Sequence, residues 1–213
     1  MRTIFKKIFI ATFSFLLVIS IFSFTILWTF SNNIPDYKFL KNYKPPVSSK
    51  VYSGDGDLVA DFSKEKRIFV PYNSIPKNVI NAFLSAEDKN FYYHLGFDII
   101  AITRAFISNI LSYTSNKRVV GASTISQQVV KNLLLTNEIS YERKIKEILL
   151  AIRIENILSK DSILELYLND IYLGFGSYGI ATASLNYFNK SIDELELHEI
   201  AFLAALPKAP NNY

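Results

Sequence analysis

An uncharged stretch near the N-terminus constrains this chain more than any other feature of its sequence. It covers 23 residues, from Ile8 to Phe30, and reads IFIATFSFLLVISIFSFTILWTF. At about 1.5 Å per residue, a helix of this length spans about 30 Å of hydrocarbon. A cleaved signal peptide has a shorter apolar region and small residues at its cleavage site. This stretch ends instead with Trp28 and Phe30, which suit a membrane interface. We therefore predict an uncleaved transmembrane helix over residues 8–30.

The charges around this stretch predict its orientation. Arg2, Lys6 and Lys7 precede it and no acidic residue does, so a buried core helix is a poor alternative. By the positive-inside rule, residues 1–7 form a cytoplasmic tail, and the chain beyond about residue 31 lies outside the cytoplasm. Beyond residue 30 the chain holds 20 basic and 19 acidic residues. This near balance does not favour nucleic-acid binding.

The remaining composition favours one globular domain and excludes some chemistry. Half of the residues are hydrophobic, which is enough for a sizeable core. The chain has no cysteine and two histidines, and it contains no H-E-x-x-H motif. These absences exclude thiol catalysis and disfavour a zinc enzyme. Which residues would hold any metal is unknown from this pattern.

Hydrophobic periodicity predicts a mainly α domain with a small β element near the membrane. Residues 31–50 are polar and contain prolines, so they are predicted to be a linker. VYSGDGDLVADF, which begins at residue 51, alternates around a Gly-Asp-Gly turn and predicts a β-hairpin. Helices are predicted for the rest of the domain at 77–88, 98–112, 123–135, 140–158, 161–172, 178–187 and 193–206.

The first of these helices places an acid in line with its own core residues. Ile80, Phe83 and Leu84 form one apolar stripe, and Glu87 lies near the middle of that stripe. Glu87 either ends the helix at solvent or faces a partly desolvated cleft, where a carboxylate is a better general base near neutral pH. Periodicity alone leaves both readings open. Glu87 and Asp88 also oppose the macrodipole at a helix C-terminus, which favours some specific cause for their position.

The segment that follows contains residues with ordinary structural explanations. Gly96 is a natural C-cap glycine, and His94 is typical of a hydrogen-bonded core or corner histidine. Asp98 suits the N-cap of the next helix. Further along, Thr124 and Gln127 match a capping box.

The stretch GASTISQQVVKN, residues 121–132, contains more polar residues than a helix start requires. Gly121 gives the backbone room to turn. The capping box does not explain Gln128 and Lys131, or the serines at 123 and 126. Free N–H groups at a helix start, with a lysine two turns on, would suit an anion such as phosphate.

The helix predicted at 140–158 is apolar on two sides. Arg143 and Glu147 are i, i+4 neighbours, so they could be an ordinary surface pair. The pair lies in line with the apolar Leu150 and Ile154, which favours a position of the pair against protein or in a cleft. Lys144 adds positive charge nearby.

A polar pair also lies on the helix predicted at 161–172. The core stripe of this helix consists of Ile163, Leu164, Tyr167, Leu168 and Ile171. Glu165 and Asn169, at i, i+4, are more typical of structural polar partners than of catalysts.

Together, these motifs resemble the peptidoglycan glycosyltransferase domain (glycosyltransferase family 51) of class A penicillin-binding proteins and monofunctional transglycosylases. EDKNFYYHLGFD, GASTISQQVVKN, RKIKE and ILELYLNDIYLG match its successive motifs in order, with Ser126 where threonine is usual. The stretches GSYGIATASLNYFNKS and LPKAPNNY resemble its last conserved parts. The resemblance runs from about Val51 to Tyr213. Such domains continue for more helices, so we expect this glycosyltransferase domain, residues 51–213, to be truncated at its C-terminus.

The resemblance implies a lysozyme-like α fold and polymerisation of lipid II into β-1,4 glycan strands. Transfer from an undecaprenyl-diphosphate-linked donor to the 4-hydroxyl of an acceptor would invert the anomeric centre. The resemblance assigns Glu87 as the catalytic base and Glu147 as the second carboxylate. Residues that would line the sugar-diphosphate cleft are Ser123, Thr124, Gln127, Gln128, Lys131, Arg143 and Lys144. Supporting residues would be Asp88, Phe91, His94, Gly96, Gly121, Glu165 and Asn169.

The resemblance also implies the surroundings of the protein. We expect a single-pass protein of the bacterial inner membrane, with its catalytic domain on the periplasmic or extracellular side. Its expected partners are lipid II, the growing glycan strand, membrane lipid, and a transpeptidase or other cell-wall synthesis proteins, with no nucleic acid. No cofactor is obligatory, although a divalent cation (Mg or Mn) could assist.

Two other functions are considered. A lysozyme-like or lytic glycan-cleaving enzyme needs an acid to protonate a glycosidic oxygen, but it does not need a basic cluster for diphosphate. The basic residues therefore favour the glycosyltransferase over a cleaving enzyme; they are Lys131, Arg143 and Lys144. An inactive, truncated scaffold of the cell-wall machinery is the other alternative, and the presence of both Glu87 and Glu147 argues against it.

Overall fold

The computed structural model describes residues 2–32, 34–43, 50–61, 67–112, 121–136, 138 and 140–210. Within these residues the protein is mainly α-helical, with one β-hairpin, as the sequence predicts. The helices are α1 (Arg2–Asn32), α2 (Lys77–Glu87), α3 (Ile99–Ser112), α4 (Ile125–Leu134), α5 (Tyr141–Glu155), α6 (Lys160–Asp170), α7 (Ile180–Phe188) and α8 (Leu197–Ala205). Short 3₁₀ helices cover Lys38–Asn42, Tyr72–Ser74 and Leu206–Lys208.

Helix α1 contains the predicted transmembrane stretch. In the described part of the chain it is the one helix long and apolar enough to cross a membrane, judged by length and composition. Its most apolar window is Phe5–Phe22, which has a mean hydropathy of 2.0 and no buried residue. The helix begins before residue 8, because the short basic tail continues it without a break.

The end of α1 contacts the rest of the protein through α5. Arg153 of α5 donates a hydrogen bond of 2.5 Å to Ser31 Oγ, and its guanidinium lies 5.6 Å from the centre of the Tyr37 ring. Leu40 is buried in the core. Residues 34–43, which fall in the predicted linker, therefore pack on the domain. Residues 33 and 44–49 of that linker lie outside the described residues, as do residues 211–213 of the LPKAPNNY stretch.

The hairpin predicted around Gly-Asp-Gly is present. Strand β1 (Lys50–Tyr52) pairs antiparallel with β2 (Leu58–Asp61), with an irregularity between Val51 and Tyr52. Gly56 has φ +89°, a left-handed conformation that favours glycine in this turn.

The core lies between α2, α4, α5, α6 and α8. Helix α4 packs on both α5 and α6, and α2 packs on α8. The stripe predicted for α6 is buried throughout, and its Tyr167 ring meets Phe83 of α2 edge-on at 6.3 Å. In α3 only Ala105 is buried, so most of that helix presents isoleucine, leucine and phenylalanine side chains on the surface.

Local hydrogen bonds shift several predicted helix boundaries. Helix α8 starts four residues later than predicted, because Glu194 caps a turn at Ser191 and Glu196 forms a capping box with Glu199. Helix α5 ends at Glu155, where the Asn156 N–H bonds to the carbonyl of Arg153. Side-chain caps compete with helix extension at the start of α8.

Candidate active site

Glu87 is the last residue of α2. The next residue, Asp88, leaves the helical conformation with φ −155° and ψ 79°. Glu87 is half-buried, and its Oε2 accepts a hydrogen bond of 2.8 Å from Gln128 Nε2. Its other oxygen, Oε1, is buried and no described residue bonds to it. Of the two readings that the sequence left open, the structure therefore supports the partly desolvated carboxylate.

Asp88 explains why an acid ends this helix. Its side chain is buried, and its Oδ2 accepts hydrogen bonds from His94 Nε2 at 2.9 Å and from Ile125 N at 3.0 Å. The Gly96 N–H donates to His94 Nδ1 at 3.2 Å, so His94 carries its proton on Nε2. Ile125 is the first residue of α4, so Asp88 lies at the positive end of another helix. This interaction offsets the unfavourable dipole of α2.

Gly96 is not a helix C-cap, contrary to the prediction, because α2 ends at Glu87 with Asp88 as its cap. Its φ is +96°, and a Cβ added there would lie 2.7 Å from Ala151 C and Ile152 N of α5. Its carbonyl accepts a hydrogen bond of 2.7 Å from Thr124 Oγ1. Gly96 therefore allows the loop after α2 to approach the backbone of α5.

Two of the predicted caps are present. Asp98 Oδ1 accepts from Ala101 N at 2.9 Å, at the start of α3. At the start of α4, Thr124 Oγ1 accepts from Gln127 N at 3.2 Å, and Gln127 Oε1 accepts from Thr124 N at 3.0 Å. An added Cβ at Gly121 would meet nothing within 4 Å, so no close approach requires glycine there.

Arg143, Lys144 and Glu147 form a cluster on α5. The Glu147 side chain is 3% exposed, and its Oε2 accepts from Arg143 Nη1 at 3.2 Å. Its Oε1 accepts from Lys144 Nζ, which also donates to Ser123 Oγ at 2.8 Å. The Arg143 Nε atom is buried and has no partner among the described residues. Glu147 is buried and is held by two partly exposed cations, so this is not an ordinary surface pair.

The first turns of α4 connect the two carboxylates. Gln128 bonds to Glu87, and Ser123, next to the N-cap, bonds to Lys144 of the Glu147 cluster. Lys131 lies on the same helix but is exposed, and no hydrogen bond or ion pair joins it to the described part of the chain. A cavity of about 310 Å³ lies beside this turn. Polar groups of Ser123, Gln127 and Lys144 line it together with apolar residues of α3 and α5.

Sequence reasoning missed a buried network behind the loop after α2. Glu155 accepts hydrogen bonds from Ser126 Oγ at 2.5 Å and from Lys160 Nζ at 2.7 Å. Lys160 Nζ also donates to the His94 carbonyl at 2.7 Å and lies 4.6 Å from the centre of the Phe91 ring, which is fully buried. The spacing of Glu147, Ala151 and Glu155 on one face of α5 was the available signal.

Glu165 and Asn169 bind a different segment, as expected of structural polar partners. Glu165 Oε2 accepts from Tyr72 N at 2.6 Å. The Asn169 amide accepts from Val70 N at 2.8 Å and donates to Val70 O at 2.9 Å. They hold the segment that leads into α2, and no hydrogen bond joins their side chains to Glu87 or Glu147 within the described residues.

Glu87 and Glu147 are connected through the N-terminal turns of α4 and lie next to cationic side chains. This arrangement in a mainly α domain suits acid–base chemistry on an anionic substrate. The chain belongs to the Transglycosylase family, whose sequence profile matches residues 55–213.

Curated relatives agree with this assignment. The chain is 53% identical to penicillin-binding protein 1A of Rickettsia prowazekii. The aligned region covers 87% of this chain and 24% of that protein. It is 47% identical to penicillin-binding protein 1A of Aquifex aeolicus over 98% of its length and 28% of that protein. The corresponding protein of Escherichia coli is 44% identical over 84% of this chain and 21% of that protein. The chain thus spans about a quarter of the length of these relatives.

A solved structure, penicillin-binding protein 1A from Haemophilus influenzae, aligns with 79% of this chain and 15% of its own chain. The identity is 26% and the TM-score is 0.37, an overlap too low to establish a shared arrangement.

Proposed function

We propose that this protein is a peptidoglycan glycosyltransferase that polymerises lipid II into β-1,4 glycan strands. One observation carries the proposal: Glu87, with a buried oxygen that no described residue bonds, is connected through α4 to the cationic cluster around Glu147. A cleaving enzyme needs the carboxylate but not the cations. A transferase that expels a diphosphate needs both.

On the acceptor side, Glu87 removes the proton of the sugar 4-hydroxyl as that oxygen attacks the donor. Gln128 orients the carboxylate by donating a hydrogen bond to its Oε2. Partial burial favours this proton transfer because the carboxylate is less well solvated. The bond from the acceptor oxygen to the anomeric carbon forms as the bond from that carbon to the diphosphate oxygen breaks. A single displacement converts an α-linked donor into a β-linked product.

On the donor side, negative charge develops on the departing diphosphate. Lys144 and Arg143 supply positive charge, and the N-terminal turn of α4 supplies N–H groups. Glu147 holds both cations by accepting one hydrogen bond from each. Lys131 is exposed on the same helix and adds a cation with no partner in the described chain.

A divalent cation fits this scheme if the substrate supplies some of its ligands. The described residues contain no group of three or more His, Cys, Asp or Glu that could hold a metal ion. Both Glu147 oxygens already accept hydrogen bonds from cations. The substrate diphosphate would therefore supply part of the coordination of Mg²⁺ or Mn²⁺.

The apolar helix α1 fits a reaction between two lipid-linked substrates. We place the protein in the bacterial inner membrane, with residues beyond α1 on the periplasmic or extracellular side, because the basic tail precedes the helix. Growing glycan, membrane lipid and cell-wall transpeptidases are the partners that this location would supply. The relatives named penicillin-binding protein 1A support that environment.

The test is to incubate the full chain, purified in detergent micelles, with labelled lipid II and to separate the products by size. We expect the wild type to form polymer and Glu87→Gln to form none, because the amide cannot accept the proton. Glu147→Gln should lower the rate strongly, since Arg143 and Lys144 lose their anionic partner.

Glu142→Gln is the matched control on the same helix. Glu142 is 55% exposed and pairs with Lys146 rather than with the Glu147 cluster, so its rate should equal that of the wild type. Shortening of preformed glycan without polymer formation would instead establish a cleaving enzyme. Lipid II binding without turnover in the wild type would contradict the transferase.

A further inference from the structure

Tyr167 lies in the core of α6, yet its hydroxyl has no hydrogen-bond partner among the described residues. The side chain is 1% exposed. A buried hydroxyl without a partner costs free energy, because it loses its hydrogen bonds to water. Phenylalanine would fill the same space without that cost. The hydroxyl therefore requires an explanation other than packing.

The position of Tyr167 indicates which group its hydroxyl serves. Its ring meets Phe83 edge-on, with ring centres 6.3 Å apart. Phe83 precedes Glu87 by four residues on α2, so the two side chains lie on the same face, one turn apart. Tyr167 thus contacts the face of α2 that carries Glu87, one turn before that residue.

Three buried side-chain atoms in the described residues have no partner: Glu87 Oε1, Arg143 Nε and Tyr167 Oη. The first two belong to the candidate active site. Burial there without a protein partner is expected of groups that bind a substrate. The third atom, Tyr167 Oη, belongs to the core rather than to the cleft. Any effect of Tyr167 on a substrate would therefore pass through Glu87.

The charges of Glu87 and Asp88 both act on the Tyr167 phenol, and that of Glu87 acts more strongly. Burial raises the pKa of the Tyr167 phenol well above its usual range, and the carboxylate of Glu87 raises it further, more than that of Asp88. The phenol is therefore neutral and can donate a hydrogen bond. Two hydrogen bonds already hold Asp88 through its Oδ2, whereas Glu87 has a buried oxygen, Oε1, that no described residue bonds.

We propose that Tyr167 is a positioning residue whose hydroxyl donates to the Glu87 carboxylate through one water molecule and keeps it ionised and oriented for proton abstraction. The proton stays on the tyrosine throughout, and no covalent step is involved. The catalytic consequence rests on the proposed function, whereas the effect on Glu87 itself does not.

Tyr167→Phe in the full chain tests this role by lipid II polymerisation measured against pH. We expect kcat to fall about 10-fold, the effect of one hydrogen bond to a charged group. KM should change little, and the acidic limb of the rate–pH profile should move to higher pH, because the carboxylate loses a donor. The thermal midpoint should stay the same or rise, since the variant removes an unbonded buried hydroxyl.

Tyr187→Phe is the matched control. The Tyr187 hydroxyl donates to Leu173 O at 3.0 Å, far along the chain from the candidate site. Its loss should lower the thermal midpoint and leave the rate–pH profile unchanged. A merely structural Tyr167 would leave both kcat and the acidic limb as in the wild type, which would overturn the proposal.

A second measurement does not depend on catalysis. Carbon-13 NMR of glutamate-labelled protein follows protonation of the Glu87 side chain, and Glu87→Gln identifies its signal. A titration midpoint at higher pH in Tyr167→Phe than in the wild type supports the contact, and an identical midpoint refutes it. If the wild type fails to polymerise lipid II, the proposed function fails while this titration still decides the role of Tyr167.

Discussion

Gln128 of α4 donates a hydrogen bond of 2.8 Å from its Nε2 to Oε2 of Glu87, the last residue of α2. This bond joins the proposed base to the helix that begins at the capping box of Thr124. It leaves the second carboxylate oxygen without a protein partner in the described chain. The amide of Gln128 therefore holds one oxygen of the Glu87 carboxylate, while the other is buried.

Gln128→Ala should reduce catalysis more than stability. We expect kcat to fall about 10-fold, because Glu87 loses a hydrogen bond that orients its charged form. The free energy of unfolding should change by less than about 1 kcal/mol, since Gln128 is only half-buried. Initial rates with lipid II and thermal melting of the same preparation measure both effects. A large drop in melting temperature with a proportionate loss of rate would contradict this role.

Lys160→Met should destabilise the loop that contains Phe91 and His94. The substitution leaves Glu155, whose side chain is 4% exposed, with only Ser126 as a donor. Breaking a buried ion pair on one side costs about 3 kcal/mol. Denaturant titration of the variant measures this loss.

The double variant Lys160→Met with Glu155→Gln provides the control for that prediction. It removes the unpaired charge, so it should be more stable than Lys160→Met alone. Equal or lower stability of the double variant would show that the charge of Glu155 is not what makes Lys160 necessary.

Gly96→Ala should unfold or strongly destabilise the protein. The added Cβ would lie 2.7 Å from backbone atoms of α5, and φ +96° disfavours any side chain. We expect a loss of about 3 kcal/mol or more, since neither backbone can move independently. Gly54→Ala is the matched control, because an added Cβ there meets nothing within 4 Å. Comparable melting temperatures for the two variants would refute the steric argument.

Asp98 should make the protein acid-sensitive. Burial of this carboxyl opposes its ionisation, but hydrogen bonds from the Ala101 backbone and the Asn90 side chain outweigh burial, so the pKa of Asp98 lies below its usual range. A carboxyl with a lowered folded-state pKa contributes stability above the unfolded value of about 3.9, and this contribution disappears as pH falls through the folded value.

Asp98→Asn keeps a residue that can cap a helix but removes the charge. Its melting temperature should therefore fall less between neutral pH and about pH 3 than that of the wild type. Thermal melts at several pH values provide the comparison. Parallel curves for the two proteins would exclude Asp98 as a source of acid sensitivity.

Local sequence patterns were sufficient for much of the fold. The 3.6-residue periodicity located α2 to α8, and the Gly-Asp-Gly turn located the hairpin, because both depend on neighbours in sequence. The capping box of Thr124 and the N-cap at Asp98 were predicted for the same reason. Boundaries were less accurate where side chains such as Glu194 compete for the backbone. The division of the chain into a tail, a linker and a domain stays a prediction.

The sequence by itself determined an apolar N-terminal helix, a mainly α domain and the positions of Glu87 and Glu147 on their helices. Only the tertiary structure decided that Asp88 accepts a hydrogen bond from the first residue of α4, and that Lys160 and Glu155 support the loop at His94. It also decided that Gly96 meets the backbone of α5 rather than capping a helix. These relationships join residues far apart in the chain, and periodicity carries no information about which helix another one meets. Periodicity thus placed Glu87 in an apolar stripe, and only the tertiary structure showed that Gln128 of α4 bonds to its carboxylate and that one of its oxygens is buried.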